Sequence, residues 1–173
     1  MDITLLKKLL DDCLTDSQAY SFAEALPLRD AVKKAAMQLP DGFWEQLLPE
    51  ENFFVFELLP ELADKANPNI VAEAYCSALS HCVADWWGMP GHFNTDAAKR
   101  LTEKKGIEQC LVAALNNKEA ISYTDGEANS VASRRGWQVS DLAASFLAQI
   151  RQEPFDAYQP VEEREKAKQV FVK

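Results

Sequence analysis

Chemistry in this chain would have to come from four small constellations. His81 and Asp85 lie four residues apart with Cys82 between them, a spacing that puts an imidazole and a carboxylate on one helix face. As metal ligands they need two further groups, and no HExxH, CxxC or CxxH spacing supplies them. A hydrogen bond from the histidine to the aspartate one turn on accounts for the pair, and no metal is expected. His92, in the turn "MPGHF", would serve as a general base with Asp96 as its orienter, but no nucleophile motif accompanies it. Ser140 and Asp141 open a strongly apolar helix pattern, where a serine cap and a first-turn acid facing the helix dipole explain them. The fourth constellation is the stretch 122–138, with Asp125, Glu127, Arg134 and Arg135 between two apolar helical patterns. It reads as a long ordered connection, pinned at its ends by Tyr123 and Trp137, and partner docking is the rival reading. Neither GxxxxGK[ST] nor GxGxxG occurs, so no phosphate cradle and no cofactor are expected.

The elements that must position these groups all carry the 3.6-residue period. "ITLLKKLLDDCL" has a helical stripe, Asp16 can cap "SQAYSFAEAL", and Pro27 suits the first turn of "LRDAVKKAAMQL". After the short "FWEQLL", the segment "ENFFVFELLPELADKA" is too apolar for an exposed helix, and Pro60 must kink or divide it. "NPNIVAEAYCSALSHCVADWWG" reads as the longest helix, with Asn67 as cap, Pro68 in the first turn and Gly88 at the exit. Asn94 or Thr95 caps "DAAKRLTEKK", Gly106 ends it, and "IEQCLVAALNN" follows at once. "QVSDLAASFLAQIRQ" is strongly helical with Ser140 as the expected cap, and "VEEREKAKQVF" is a last polar helix expected to pack loosely or fray. No segment alternates as a half-buried strand does. The expected fold is all-α, with about eight or nine helices.

Charge narrows the function classes. Of the formal −9, residues 1–90 hold 15 acids against 6 bases, while residues 91–173 hold 12 of each. A field of that sign repels phosphate backbones and anionic lipid and attracts basic proteins, so nucleic-acid and membrane partners are not expected. Asp11, Asp12, Glu45, Glu50, Glu51 and Glu57 are a solvated acidic face or, on the functional reading, a docking patch for a basic partner. Trp86 and Trp87 point about 100° apart on a helix, so one enters the core and the other is a candidate interface anchor. Cys13, Cys76, Cys82 and Cys110 all fall in helical patterns and are expected to be free thiols. The N-terminus lacks the basic region and cleavage site of a secretory signal, which makes the cytoplasm the expected compartment.

The pair "DAAKRLTEKKGIEQCLVAALNN", one amphipathic helix ending at a glycine and the next starting immediately, resembles the unit of HEAT-type repeats. With "WWGMPGHF" and "YTDGEANSV…VSDLA", residues 68–152 are similar to small bacterial HEAT-like proteins. The resemblance implies an irregular stack of antiparallel helix pairs that binds protein partners, and it carries no catalytic residues. One domain, 1–173, is expected: acidic helices over 1–67, the HEAT-like part over 68–152, and a C-terminal link and polar helix over 153–173. The functional expectation is a non-catalytic protein-binding module, in its most specific form an immunity protein or antitoxin masking a basic toxin such as a nuclease. The alternatives are an adaptor in a larger assembly, or an enzyme with a site near His92, Asp96 and the 122–138 segment. Oligomeric state is left open.

Overall fold

The computed structural model describes residues 3–15, 26–81 and 84–172. Among them lie ten α-helices and no strand; two isolated bridges, Met89–His92 and Ala120–Gln138, are the nearest thing to sheet. The fold is all-α. The expected helix "SQAYSFAEAL" falls almost wholly on 16–25, and it lies with its Asp16 cap and the thiols of Cys13 and Cys82 outside the described residues. The chain forms two compact units, Met1–Ala74 and Tyr75–Lys173.

The first unit contains α1 (Ile3–Thr15), α2 (Leu26–Ala36), a 3-10 turn at Phe43–Gln46, α3 (Pro49–Leu58) and α4 (Pro60–Lys65). Helix α1 packs on α2 and α3, and α3 also meets α2 and α4. Leu6 and Leu10, one turn apart, form the buried stripe of α1. Each such side chain stabilises by about 1.5–3 kcal/mol when removed from water. On α3, Phe53, Phe54, Val55 and Phe56 are all buried, so the helix is enclosed on every side, as its unbroken apolar run implied. Pro60 divides rather than kinks: it cannot donate to the preceding turn, and Leu59 leaves helical geometry at φ −137°, ψ 73°.

Helix α5 (Pro68–His81) crosses the boundary between the units, with Pro68 in its first turn and Asn67 Oδ1 accepting from Asn69 N at 2.9 Å. It is shorter than expected: after two residues outside the described set, Ala84–Trp86 form a 3-10 turn, not further α-helix. Gly88 then takes φ +83°, and a Cβ there would stand 2.7 Å from the His92 carbonyl oxygen, so the reversal requires glycine. The second unit continues with α6 (Asp96–Glu103), α7 (Ile107–Ala114), α8 (Gly126–Arg135), α9 (Val139–Arg151), α10 (Val161–Lys168) and a closing 3-10 turn at Gln169–Val172. Helix α9 is its axis. Every residue from Val139 to Ala148 is buried, and α6, α7 and the 169–172 turn pack against it. Phe146 stacks on Phe93 at 3.7 Å between centroids and meets the edge of Trp87 at 6.1 Å.

The 122–138 segment is mostly helix, not connecting loop. Asp125 Oδ1 caps Ala128 N at 2.8 Å, and Gly136 at φ 60° ends α8. Ser140 is not the α9 cap; Gln138 is, its N–H donating to Asp141 Oδ2 at 3.0 Å. The C-terminal helix does not fray, because Arg164, Lys168 and Phe171 are buried. Cys76 and Cys110 are not free thiols but a disulfide, their Cα atoms 6.1 Å apart.

Candidate functional site

The six acids of the expected docking patch, Asp11, Asp12, Glu45, Glu50, Glu51 and Glu57, all lie in the first unit, which holds 14 acids against 6 bases, a net of −8, leaving −1 for residues 75–173. Asp11 and Asp12 are exposed on α1, on the side away from Leu6 and Leu10. Glu45 is exposed on the 3-10 turn, and Glu50 and Glu57 are half-buried on α3. Glu51 departs from the expected docking role. It is buried, and its Oε2 accepts the Leu48 N–H at 2.7 Å, satisfying a donor that the start of α3 would otherwise orphan. The Lys65–Asp41 ion pair of this unit is open to solvent and stabilises little.

The remaining candidates lie in the second unit. Trp87 is wholly buried against Tyr75 and Phe146, so it is core and cannot anchor a partner; Trp86 is half-buried. Tyr123 and Trp137 pin the segment around α8 as expected. The Tyr123 hydroxyl donates to the Gly88 carbonyl at 3.0 Å, and Trp137 Nε1 to the Ala157 carbonyl at 2.8 Å. Burial, then the nearby Asp85 and Tyr158, push the Tyr123 phenol well above its ordinary range, which keeps that donor protonated. Glu127 is exposed in the first turn of α8. Asp125 serves the helix start, Arg134 Nε donates to Ser130 O at 3.3 Å, and Arg135 donates to Tyr158 O at 2.8 Å. Arg135 also lies 5.2 Å over the Tyr158 ring, whose edges meet Trp137 at 5.3 Å and His92 at 5.8 Å. Tyr158, which the sequence pattern did not single out, thereby joins the 88–92 turn to the end of α8.

The catalytic arrangements considered from sequence are differently built. His81 Nδ1 bonds the Ser77 carbonyl at 2.8 Å instead of Asp85. Asp85 holds Thr124 through N at 2.8 Å and Oγ1 at 2.9 Å, tying the 84–86 turn to the approach of α8. His92 is exposed against Tyr158, while the Asp96 carboxylate meets Lys99 at 3.4 Å. Ser140 does sit 2.8 Å from Lys168 Nζ, a distance at which a lysine could activate a serine. Yet Ser140 is wholly buried, and the same ammonium reaches Asp141 Oδ1 at 2.8 Å and Glu165 at 2.5 Å. Its nitrogen is thus surrounded by three oxygen acceptors inside the core.

That lysine belongs to a sealed charge network. Arg164 Nε donates to Asp141 Oδ1 at 3.0 Å, and its two terminal nitrogens reach the carbonyls of Arg135, Gly136 and Gln159 at 2.9–3.1 Å. A cation thus sits on the C-terminal carbonyls of α8 while the acid at the start of α9 balances it. Lys118 extends the network by pairing with Glu165. Partial burial raises the Glu165 carboxyl, but hydrogen bonds from Lys118 and Lys168, with their charges, outweigh it and hold the group below the usual carboxylate range. Sequence offered one signal for this network, the i, i+4 spacing of Arg164 and Lys168 on a single helix face.

Among the described residues no group of three or more His, Cys, Asp or Glu side chains could hold a metal ion, and no helix is long and apolar enough to cross a membrane. Comparison of the chain with protein-family models, curated proteins and solved structures found no match.

Proposed function

We propose that this chain is a non-catalytic protein-binding module whose acidic first unit engages a basic partner, in the most specific form as an immunity protein or antitoxin masking a basic toxin. The observation that carries the reading is the segregation of charge: residues 1–74 hold a net −8, with Asp11, Asp12 and Glu45 exposed, while residues 75–173 are nearly neutral. A surface so charged accelerates encounter with an oppositely charged protein, and the acceleration weakens as salt screens the field. Supporting it, the Ser140–Lys168 contact is sealed and the Lys168 donors are all met by acceptor oxygens, while His92 packs on an aromatic ring.

The test is affinity capture from a lysate of the source organism at low salt, identification of what elutes as salt rises, and measurement of association rates with the purified partner. The expected partner is basic, and its association slows steeply with ionic strength. A neutral or acidic partner whose association rate ignores salt would overturn the reading.

A further inference from the structure

Cys76 lies on the second-unit part of α5 and Cys110 on α7, and their bond closes a loop across 34 residues. That loop carries the 84–86 turn, Trp86, the Gly88 reversal and His92, the same stretch that borders the surface at the end of α8. Both cysteines are only half-buried. Exchange requires an external thiolate to reach one of the two sulfurs, and partial exposure allows that approach where a sealed bond would not. Helix α7 is independently seated, since Ile107 and Leu111 are buried on its inner face, Leu115 just past its end is buried as well, and the helix packs on α9. The bond therefore restrains a helix that apolar burial already holds, and opening it need not unfold the unit.

We infer that the Cys76–Cys110 bond is a redox-addressable tie between α5 and α7, opened and closed by thiol–disulfide exchange with a small-molecule thiol and its disulfide. In the opening direction a small thiolate attacks one sulfur, forms a mixed disulfide with it, and releases the other cysteine as thiolate. A second small thiolate attacks the mixed disulfide, releasing the small disulfide and the second cysteine thiolate. Two electrons pass from the two small thiolates to the protein bond, and the released thiolates take up protons from water. Closing is the reverse and consumes one small disulfide as oxidant. This inference does not depend on the binding reading.

The experiment uses the full chain carrying Cys13→Ser and Cys82→Ser, so that Cys76 and Cys110 are its remaining thiols. The protein is equilibrated in buffers of reduced and oxidised glutathione, quenched with acid, alkylated and weighed intact. The two labels should be lost together, and the ratio of bonded to open protein should rise tenfold for each tenfold rise in oxidised glutathione over the square of reduced glutathione. The open form should keep its helical circular dichroism at room temperature and melt several degrees below the bonded form. Peptide mapping of labels on the unaltered chain gives the same reading should the double variant fail to fold. The inference is overturned if both cysteines label throughout the series, if the bond persists at the most reducing ratio, or if opening it abolishes the helical signal.

Discussion

Replacing Asp141 by asparagine preserves shape while removing the charge on which the second unit's buried network turns. In the native protein Asp141 Oδ1 accepts from Arg164 Nε at 3.0 Å and Lys168 Nζ at 2.8 Å, and Oδ2 accepts from Gln138 N. The side chains of Asp141, Arg164 and Lys168 are 0%, 2% and 3% exposed, so water cannot replace the lost partner. Removing one member of a buried pair typically costs about 3–5 kcal/mol, because the remaining charge stays buried without compensation. Here the backbone carbonyls around Arg164 and the Glu165 carboxylate beside Lys168 absorb part of that penalty, which places the expected cost at about 3 kcal/mol. Urea unfolding followed by circular dichroism and tryptophan fluorescence measures it, with a midpoint lowered by roughly 1–3 M at ordinary slopes. Asp41→Asn is the control: its pair with Lys65 is open to water, and the change should stay within about 0.5 kcal/mol. If the two variants unfold at the same urea concentration, the network contributes nothing and the seating of α10 must be explained by Phe171 alone. A triple variant, Asp141→Leu with Arg164→Met and Lys168→Met, should recover much of the loss, since apolar groups of similar volume leave no charge stranded.

Other consequences can be measured with the same protein. Neutralising Asp11 with Asp12, or Glu45 alone, should slow association with a basic partner while leaving the urea midpoint within about 0.5 kcal/mol of native; reversing Arg134 should change the rate less. Glu51→Ala should instead destabilise by about 1 kcal/mol through the orphaned Leu48 N–H, with Glu45→Ala as its near-silent comparison. Tyr123 has a folded-state affinity for its proton above that of the unfolded chain, so its contribution is complete at neutral pH and declines as pH climbs past about 10. Tyr123→Phe should lose about 1 kcal/mol at neutral pH and show a shallower alkaline decline; an unchanged decline would assign it to other groups.

What sequence could and could not convey follows from how local each determinant is. The enclosure of α3, the division at Pro60, the Asn67–Pro68 start of α5 and the pinning by Tyr123 and Trp137 were legible, because each depends on neighbouring residues and their periodicity. Helix α8 was not. Only Ala132 of its ten residues is buried, so no apolar stripe announces it; a capping aspartate and an exit glycine define it instead. The disulfide escaped for a different reason: its cysteines stand 34 residues apart with no spacing motif, and only tertiary packing brings α5 to α7. The burial of Glu51 was hidden too, since a surface acid and a capping acid look alike until the Leu48 N–H is seen to need an acceptor.

The interior of the second unit was missed most completely, and the reason bears on function. A pattern reading assigns charge to solvent, so "VEEREKAK" reads as a polar helix at the edge of the fold. Arg164 and Lys168 in fact turn inward to Asp141, 23 residues away from Arg164 in the chain, and Arg164 also binds the carbonyls that close α8. Charges sealed in this way fix how α8, α9 and α10 meet, but their fields are largely cancelled at close range. Residues 75–173 bring 13 acids and 12 bases, so little net charge is left there to act at a distance. In the first unit 14 acids face only 6 bases, and Asp11, Asp12 and Glu45 stand in solvent. That imbalance adds nothing to the fold, since like charges held close repel and raise the energy of the compact state. Such a field acts on what surrounds the molecule, and the proposed engagement of a basic partner is the use its sign would favour.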